Sequence, residues 1–184
     1  MNRVVALALV GLTLSCGRSA PSSAKHRAEP GDVAIVGGTV VPMDEERTLP
    51  GHTVLVRGDR IVAVAPAREV DVRAARVIDA GGRWVLPGLA DMHVHFWSQE
   101  DLALFLLNGV TTIRNLAGAP EHVRWRDAIA RGELDGPTLL TAGPIIDGAP
   151  PTWPGSTIVA TADEARAAVR AQKDAGYDWL KVYN

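Results

Sequence analysis

The sequence predicts an α/β protein in which a small sheet of short strands precedes a series of parallel β/α units. Three observations carry this reading. Residues 32–84 hold β-branched clusters separated by turn signals, residues 85–184 alternate strand-like runs with helical stripes, and the composition is that of an ordinary globular chain, 47% hydrophobic and 22% charged with a formal net charge of -2. Nineteen Lys and Arg stand against 21 Asp and Glu, with no basic cluster longer than a pair. That balance excludes a nucleic acid partner, which calls for a basic face.

At the amino terminus, Asn2 and Arg3 precede an almost purely apolar run of eleven residues, 4–14. This run falls short of the ~20 residues that span a bilayer and fits the apolar core of an export signal, here residues 1–16. Cys16 is the single cysteine, so an internal disulfide is excluded. Its place directly after the signal points to lipidation of the thiol, since LTLSC resembles a bacterial lipoprotein box. Simple secretion and a buried thiol stay open as alternatives, because Thr13 holds the place where that box usually has Leu. Lipidation would anchor an exported chain to a membrane surface through Cys16 alone. Residues 17–31, rich in Pro, Ser and Gly, then read as a flexible tether, with His26 solvated in it.

Residues 33–36, 39–41, 53–56, 61–64 and 77–78 are the expected strands of a small sheet domain over 32–84. Gly58-Asp59 suits a two-residue hairpin turn, and Gly37-Gly38, Leu49-Pro50-Gly51 and Gly81-Gly82 read as breaks. About 50 residues with few long apolar side chains make a sheet that can scarcely stand alone.

From residue 85 the rhythm changes. After a strand ending near Phe96, Ser98 and Asp101 mark a helix start, Leu102, Phe105 and Leu106 form its stripe, and Gly109 its end. Residues 110–116 form the next strand. Pro120 opens a second helix, with Val123, Ala128 and Ile129 on one side, closing near Gly132. Residues 138–142 are a strand, and 143–156 a Gly- and Pro-rich loop. Thr161 and Glu164 form a capping box for a third helix through Lys173, stopped at Gly176, and 179–183 is a last strand. This order belongs to a parallel sheet covered by helices, open or closed as a barrel, with its chemistry at the carboxyl ends of the strands.

The stretch VLPGLADMHVHF, 85–96, brings two of the five histidines to one such end. The two-residue period of a strand turns Asp91, His93 and His95 to one side and Met92 and Val94 to the other. Two imidazoles on one face can converge on a zinc ion or a related divalent transition metal, and Asp91 is placed to orient a ligand. An H-x-H pair also arises by chance in roughly one such chain in seven, so spacing alone leaves a metal site and a strand with polar interruptions equally open.

The neighbourhood is more specific. VIDAGGRWVLPGLADMHVHF (77–96) resembles the segment of the amidohydrolase superfamily that leads from a small β-sandwich into the first strand of a metal-bearing (β/α)8 barrel. The resemblance continues through DVAIVGGTVV (32–41), RGDRIVAV (57–64), NGVTTIR (108–114), RDAIARGEL (126–134), GPTLLTAGP (136–144) and YDWLKVY (177–183), and is strongest toward imidazolonepropionase-like and prolidase-like members. It implies that residues 85–184 are the first four β/α units, the first half of a TIM barrel preceded by part of a β-sandwich. It implies that His93 and His95 are metal ligands, and that Lys181 matches the lysine which, once carbamylated, bridges two ions. It further implies a metal-dependent hydrolase of amide, cyclic amide or dipeptide C–N bonds, with two zinc or related ions in the complete enzyme. Asn115 departs from the aspartate that many members carry there.

A whole barrel needs eight such units in about 250 residues, so the expectation is a fragment that is inactive alone. A non-catalytic binding or assembly module and a phosphoester hydrolase of the same superfamily are the rival readings. Asp147 and Trp153, in the loop after the third barrel strand, are candidates for substrate contact, while His52 and His122 are expected to be solvated in a turn and on a helix. Nothing in the sequence sets the oligomeric state.

Overall fold

The structure, a computed structural model, describes residues 24–183. The expected export signal and Cys16 lie outside the described residues. Contacts divide the described residues into two compact units, one ending at Leu86 and the other beginning at Pro87.

The described strands of the first unit are β1 (His26–Arg27), β2 (Val33–Val40), β3 (Leu49–Arg57), β4 (Arg60–Pro66), β5 (Val70–Asp71), β6 (Arg76–Asp79) and β7 (Trp84–Val85). The main sheet runs β4–β3–β2–β6, with β7 also paired to β2 and β1 paired in parallel to β5. Arg57 pairs with Arg60 across the Gly58-Asp59 turn, and Gly58 takes the positive φ of 57° that such a tight turn requires of its first residue. Ala28, Ala34, Leu55, Ala63, Ala65 and Val70 form the core, which is built mostly from small side chains. Ile61, Val64, Val77 and Ile78 stay exposed, in keeping with a sheet that buries little on its own.

Three expectations change here. Gly37-Gly38 is an irregularity inside β2, not a break, because β2 pairs first with β6 and then with β7 and must be redirected between them. A Cβ on Gly38 would lie 2.8 Å from the Arg83 carbonyl oxygen, which is where Thr39 N–H donates. The break expected at Leu49-Pro50-Gly51 lies within β3, and His52 sits in that strand opposite Pro66 rather than in a turn. The tether expected over 17–31 is ordered at its end: β1 pairs with Val70 and Asp71, Ala28 is buried, and the buried Asp32 carboxylate accepts from Glu29 N–H and from Arg57. Alternation of polar and small apolar residues, too weak a pattern to read as strand, is stabilised by this pairing.

The second unit follows the predicted order except for two short strands the sequence reading lacked, β11 and β12: β8 (Leu89–Val94), α1 (Asp101–Leu107), β9 (Val110–Asn115), α2 (Pro120–Ala130), β10 (Thr138–Thr141), β11 (Ile146–Asp147), β12 (Thr157–Ile158) and α3 (Ala162–Asp174). Strands β8, β9 and β10 are parallel neighbours in sequence order, each joined to the next through a helix. Thr161 Oγ1 accepts from Glu164 N–H at 3.2 Å while the Glu164 carboxylate accepts from Thr161 N–H, the capping box read from the sequence. In α1 the stripe is narrower than expected, since Leu102 and Phe105 pack inward but Leu106 does not. The last strand is reduced to two isolated parallel bridges, Ala142 with Trp179 and Ile146 with Val182. Between the bridges three residues on one side, 143–145, stand against two on the other, Leu180 and Lys181, and Pro144 has no N–H to give, so a continuous ladder does not form.

Candidate functional site

The site is set by alternation at the end of β8. Val94 and Phe96 point into the core, where Phe96 stacks on Trp125 at 5.8 Å and meets Phe105 and His122 edge-on. His93, His95 and Trp97 are the exposed alternates. The His93 and His95 rings lie 5.4 Å apart at their centroids, with planes at 73°. The strand is irregular between Asp91 and Val94, and the Asp91 carboxylate accepts from the backbone N–H of His93 at 3.1 Å. Asp91 therefore braces the backbone beneath His93.

Although on the exposed side of the strand, His95 is pushed below the ordinary histidine range, first by partial desolvation of its ring, then by the charge of His93 and that of Lys181. Its ring is thus biased toward the neutral form, which carries the lone pair a metal needs. Lys181 lies between the two parallel bridges, with its ammonium 4.9 Å from the Tyr183 ring centroid. Two imidazoles with a lysine nearby match the donor chemistry of a zinc-type site at two positions. Among the described residues no group of three His, Cys, Asp or Glu could hold a metal ion. The residues present fit part of a ligand set and not a closed one.

Beside His95 is a cavity of about 350 Å³, lined by Trp97, Gly118, Pro120, Pro144, Ile145 and Trp153 among others. The Trp153 ring stacks over His95 with centroids 6.3 Å apart and planes at 29°. Asp147 is not available to a substrate as expected: it is buried, and its carboxylate accepts from Gly148 N–H at 2.8 Å and Thr152 N–H at 2.7 Å. Those donors, Thr152 foremost, hold its carboxyl below the usual range and pin the loop that carries Trp153. Behind Pro144, which also lines the cavity, the Gln172 side-chain amide of α3 donates to the Pro144 carbonyl at 2.6 Å.

One further residue was misjudged from sequence. His122 is buried, not solvated: its Nδ1 accepts from Ala119 N–H and its Nε2 lies 3.0 Å from the Phe96 carbonyl oxygen. Asn115 is fully buried, donating to Thr141 Oγ1 and Ala117 O and accepting from Ala117 N–H. Trp97, Pro144 and Ile145 were not singled out, although Trp97 continues the two-residue period of His93 and His95.

Fold and site together define a class: an α/β chain presenting two imidazoles at the carboxyl end of a parallel strand, next to a small apolar cavity. No family model matches the chain. In sequence it is similar to an adenine deaminase of Chelativorans sp. (strain BNC1), 43% identical over 95 residues covering 49% of this chain and 16% of that protein. It is also similar to an imidazolonepropionase of Symbiobacterium thermophilum, 38% identical over 104 residues covering 50% of this chain and 24% of that protein. A crystal structure from Bifidobacterium longum, provisionally named a prolidase, superposes with a TM-score of 0.72 at 33% identity over 82% of this chain and 40% of that one. The resemblance to the amidohydrolase superfamily is thereby borne out, over part of the length of these proteins.

Proposed function

We propose that the chain carries part of a metal-dependent hydrolase acting on carbon–nitrogen bonds of small cyclic amides, amides or dipeptides. The observation that supports this most is the convergence of His93 and His95 at a strand end beside the cavity, in a chain whose relatives are deaminases, an imidazolonepropionase and prolidase-like proteins. His93 and His95 would hold a zinc or related divalent ion, with Lys181, as its carbamate, a bridging ligand between two. Such an ion, when bound, polarises a carbonyl and makes hydroxide available near neutral pH.

The chain's own residues prepare this. The lowered proton affinity of His95 keeps its ring free to coordinate, Asp91 fixes the backbone beneath His93, and Trp153 shields one side of His95 from water. Two imidazoles and one lysine are too few for a catalytic set, so further ligands and a general base belong to later strands of a completed barrel. Residues 17–184 by themselves are expected to show no turnover.

The apolar run at 4–14 and Cys16 support export and a lipid anchor, tested by whether labelled fatty acid incorporation disappears in Cys16→Ala.

Parallel assays of the metal-loaded complete protein against cyclic amides, dipeptides and phosphotriesters test the activity. Carbon–nitrogen turnover that His93→Ala abolishes supports the reading, and turnover of phosphotriesters alone overturns it in favour of a phosphoester hydrolase. A second reading is a non-catalytic binding module, in keeping with the two imidazoles being the metal-ligating pair brought together among the described residues. Stoichiometric zinc uptake without turnover of any substrate would establish that one.

A further inference from the structure

The cavity beside His95 has an unusual chemical economy. Its side chains include no Asp, Glu, Lys or Arg; His95 is the one titratable group among them, and Ser156 spends its hydroxyl on the Trp153 carbonyl at 2.8 Å. Two indoles border it with much of their surface free, Trp97 at 68% and Trp153 at 50% exposure. Pro120, Pro144 and Ile145 supply the remaining apolar wall. The walls are fixed rather than loose, since Asp147 pins the Trp153 loop through two backbone N–H groups and Gln172 holds Pro144.

A charged group entering such a space would lose hydration among lining side chains that include no Asp, Glu, Lys or Arg, whereas a flat uncharged ring gains stacking on an indole face. The volume, about 350 Å³, lies at the small end of the range for small-molecule pockets. We propose that this cavity selects the substrate's side group: it takes an uncharged, planar or cyclic apolar group against Trp153, and rejects groups of the same shape that carry a charge. This specificity rests on the functional reading above only for its link to catalysis, since binding of the group itself needs no metal.

The test uses three probes of one shape and different charge: benzamide, benzoate and benzamidinium. Each is titrated into the full chain without metal, and the indole N–H resonances are followed by NMR. Benzamide is expected to shift Trp153 and Trp97, with benzoate and benzamidinium at least about tenfold weaker. Trp153→Ala is expected to weaken benzamide about tenfold, and Trp153→Phe, which keeps a ring, to restore most of it. Equal binding of all three probes, no response to benzamide, or unchanged binding in Trp153→Ala would each overturn the proposal. A separate zinc titration followed at the histidine ring signals keeps the two readings apart. Zinc uptake without benzamide binding sinks this inference alone, and benzamide binding without zinc uptake sinks the metal site alone.

Discussion

The Nε2 atom of His122, on the first turn of α2, lies 3.0 Å from the carbonyl oxygen of Phe96, the residue that follows His95. Because Nδ1 of the same ring accepts from Ala119 N–H, the proton must sit on Nε2, which donates to Phe96. A buried histidine thus ties the start of one helix to the strand end that presents the candidate ligands. His122→Ala leaves the Ala119 amide and the Phe96 carbonyl without their His122 partner and empties a space beside the Phe96 and Trp125 rings. It is expected to destabilise the protein by about 2–4 kcal/mol, seen as a lower denaturant midpoint, while His122→Gln recovers part of the loss. An unchanged midpoint in His122→Ala would contradict this linkage.

Gly118 follows β9 where the backbone passes against the next strand. A Cβ there would lie 1.8 Å from the Ala142 carbonyl oxygen and 2.6 Å from Thr141 Oγ1. Backbone cannot move aside as a side chain can, so Gly118→Ala is expected to cost about 1–3 kcal/mol and to distort the cavity wall. Thermal unfolding of the variant checks this, with Gly148→Ala as the comparison, since a Cβ there meets nothing and the backbone is not in the left-handed region.

The paired imidazoles predict the metal response. Zinc titration by calorimetry should show uptake that either His93→Ala or His95→Ala weakens by at least about tenfold, with little change in His52→Ala. Equal affinity in all three variants would mean that the strand-end pair is not the site.

Asp71 predicts an acid response in the first unit. The Arg73 guanidinium, then the Arg73 backbone N–H, with Arg27 contributing, hold its carboxyl down to about 2. An unfolded chain returns it to about 3.9, so its contribution is complete above pH 4 and is lost as pH falls through that window toward 2. In Asp71→Asn, stability should change less between pH 4 and 2 than in the unaltered protein, measured by urea unfolding at each pH. Identical slopes would rule out this contribution.

Local patterns determined much of this protein. The Thr161 and Glu164 capping box, the Gly58-Asp59 turn, and the order of strands and helices from β8 to β10 depend on residues within a few positions of one another, and all are present in the structure. The two-residue period likewise separated His93 and His95 from Val94 and Phe96, because side-chain direction along a strand is a local property.

Only the tertiary structure decided what depends on partners distant in the chain. His122 reads as a surface helix residue until Phe96, 26 positions away, supplies its acceptor. Asp147 reads as a loop residue open to a ligand until its loop folds back to donate two N–H groups. Residues 26–28 read as tether until Val70 and Asp71 offer a strand to pair with. In each case the deciding energy is that of satisfying or burying a group against something far off in sequence, which no local pattern contains.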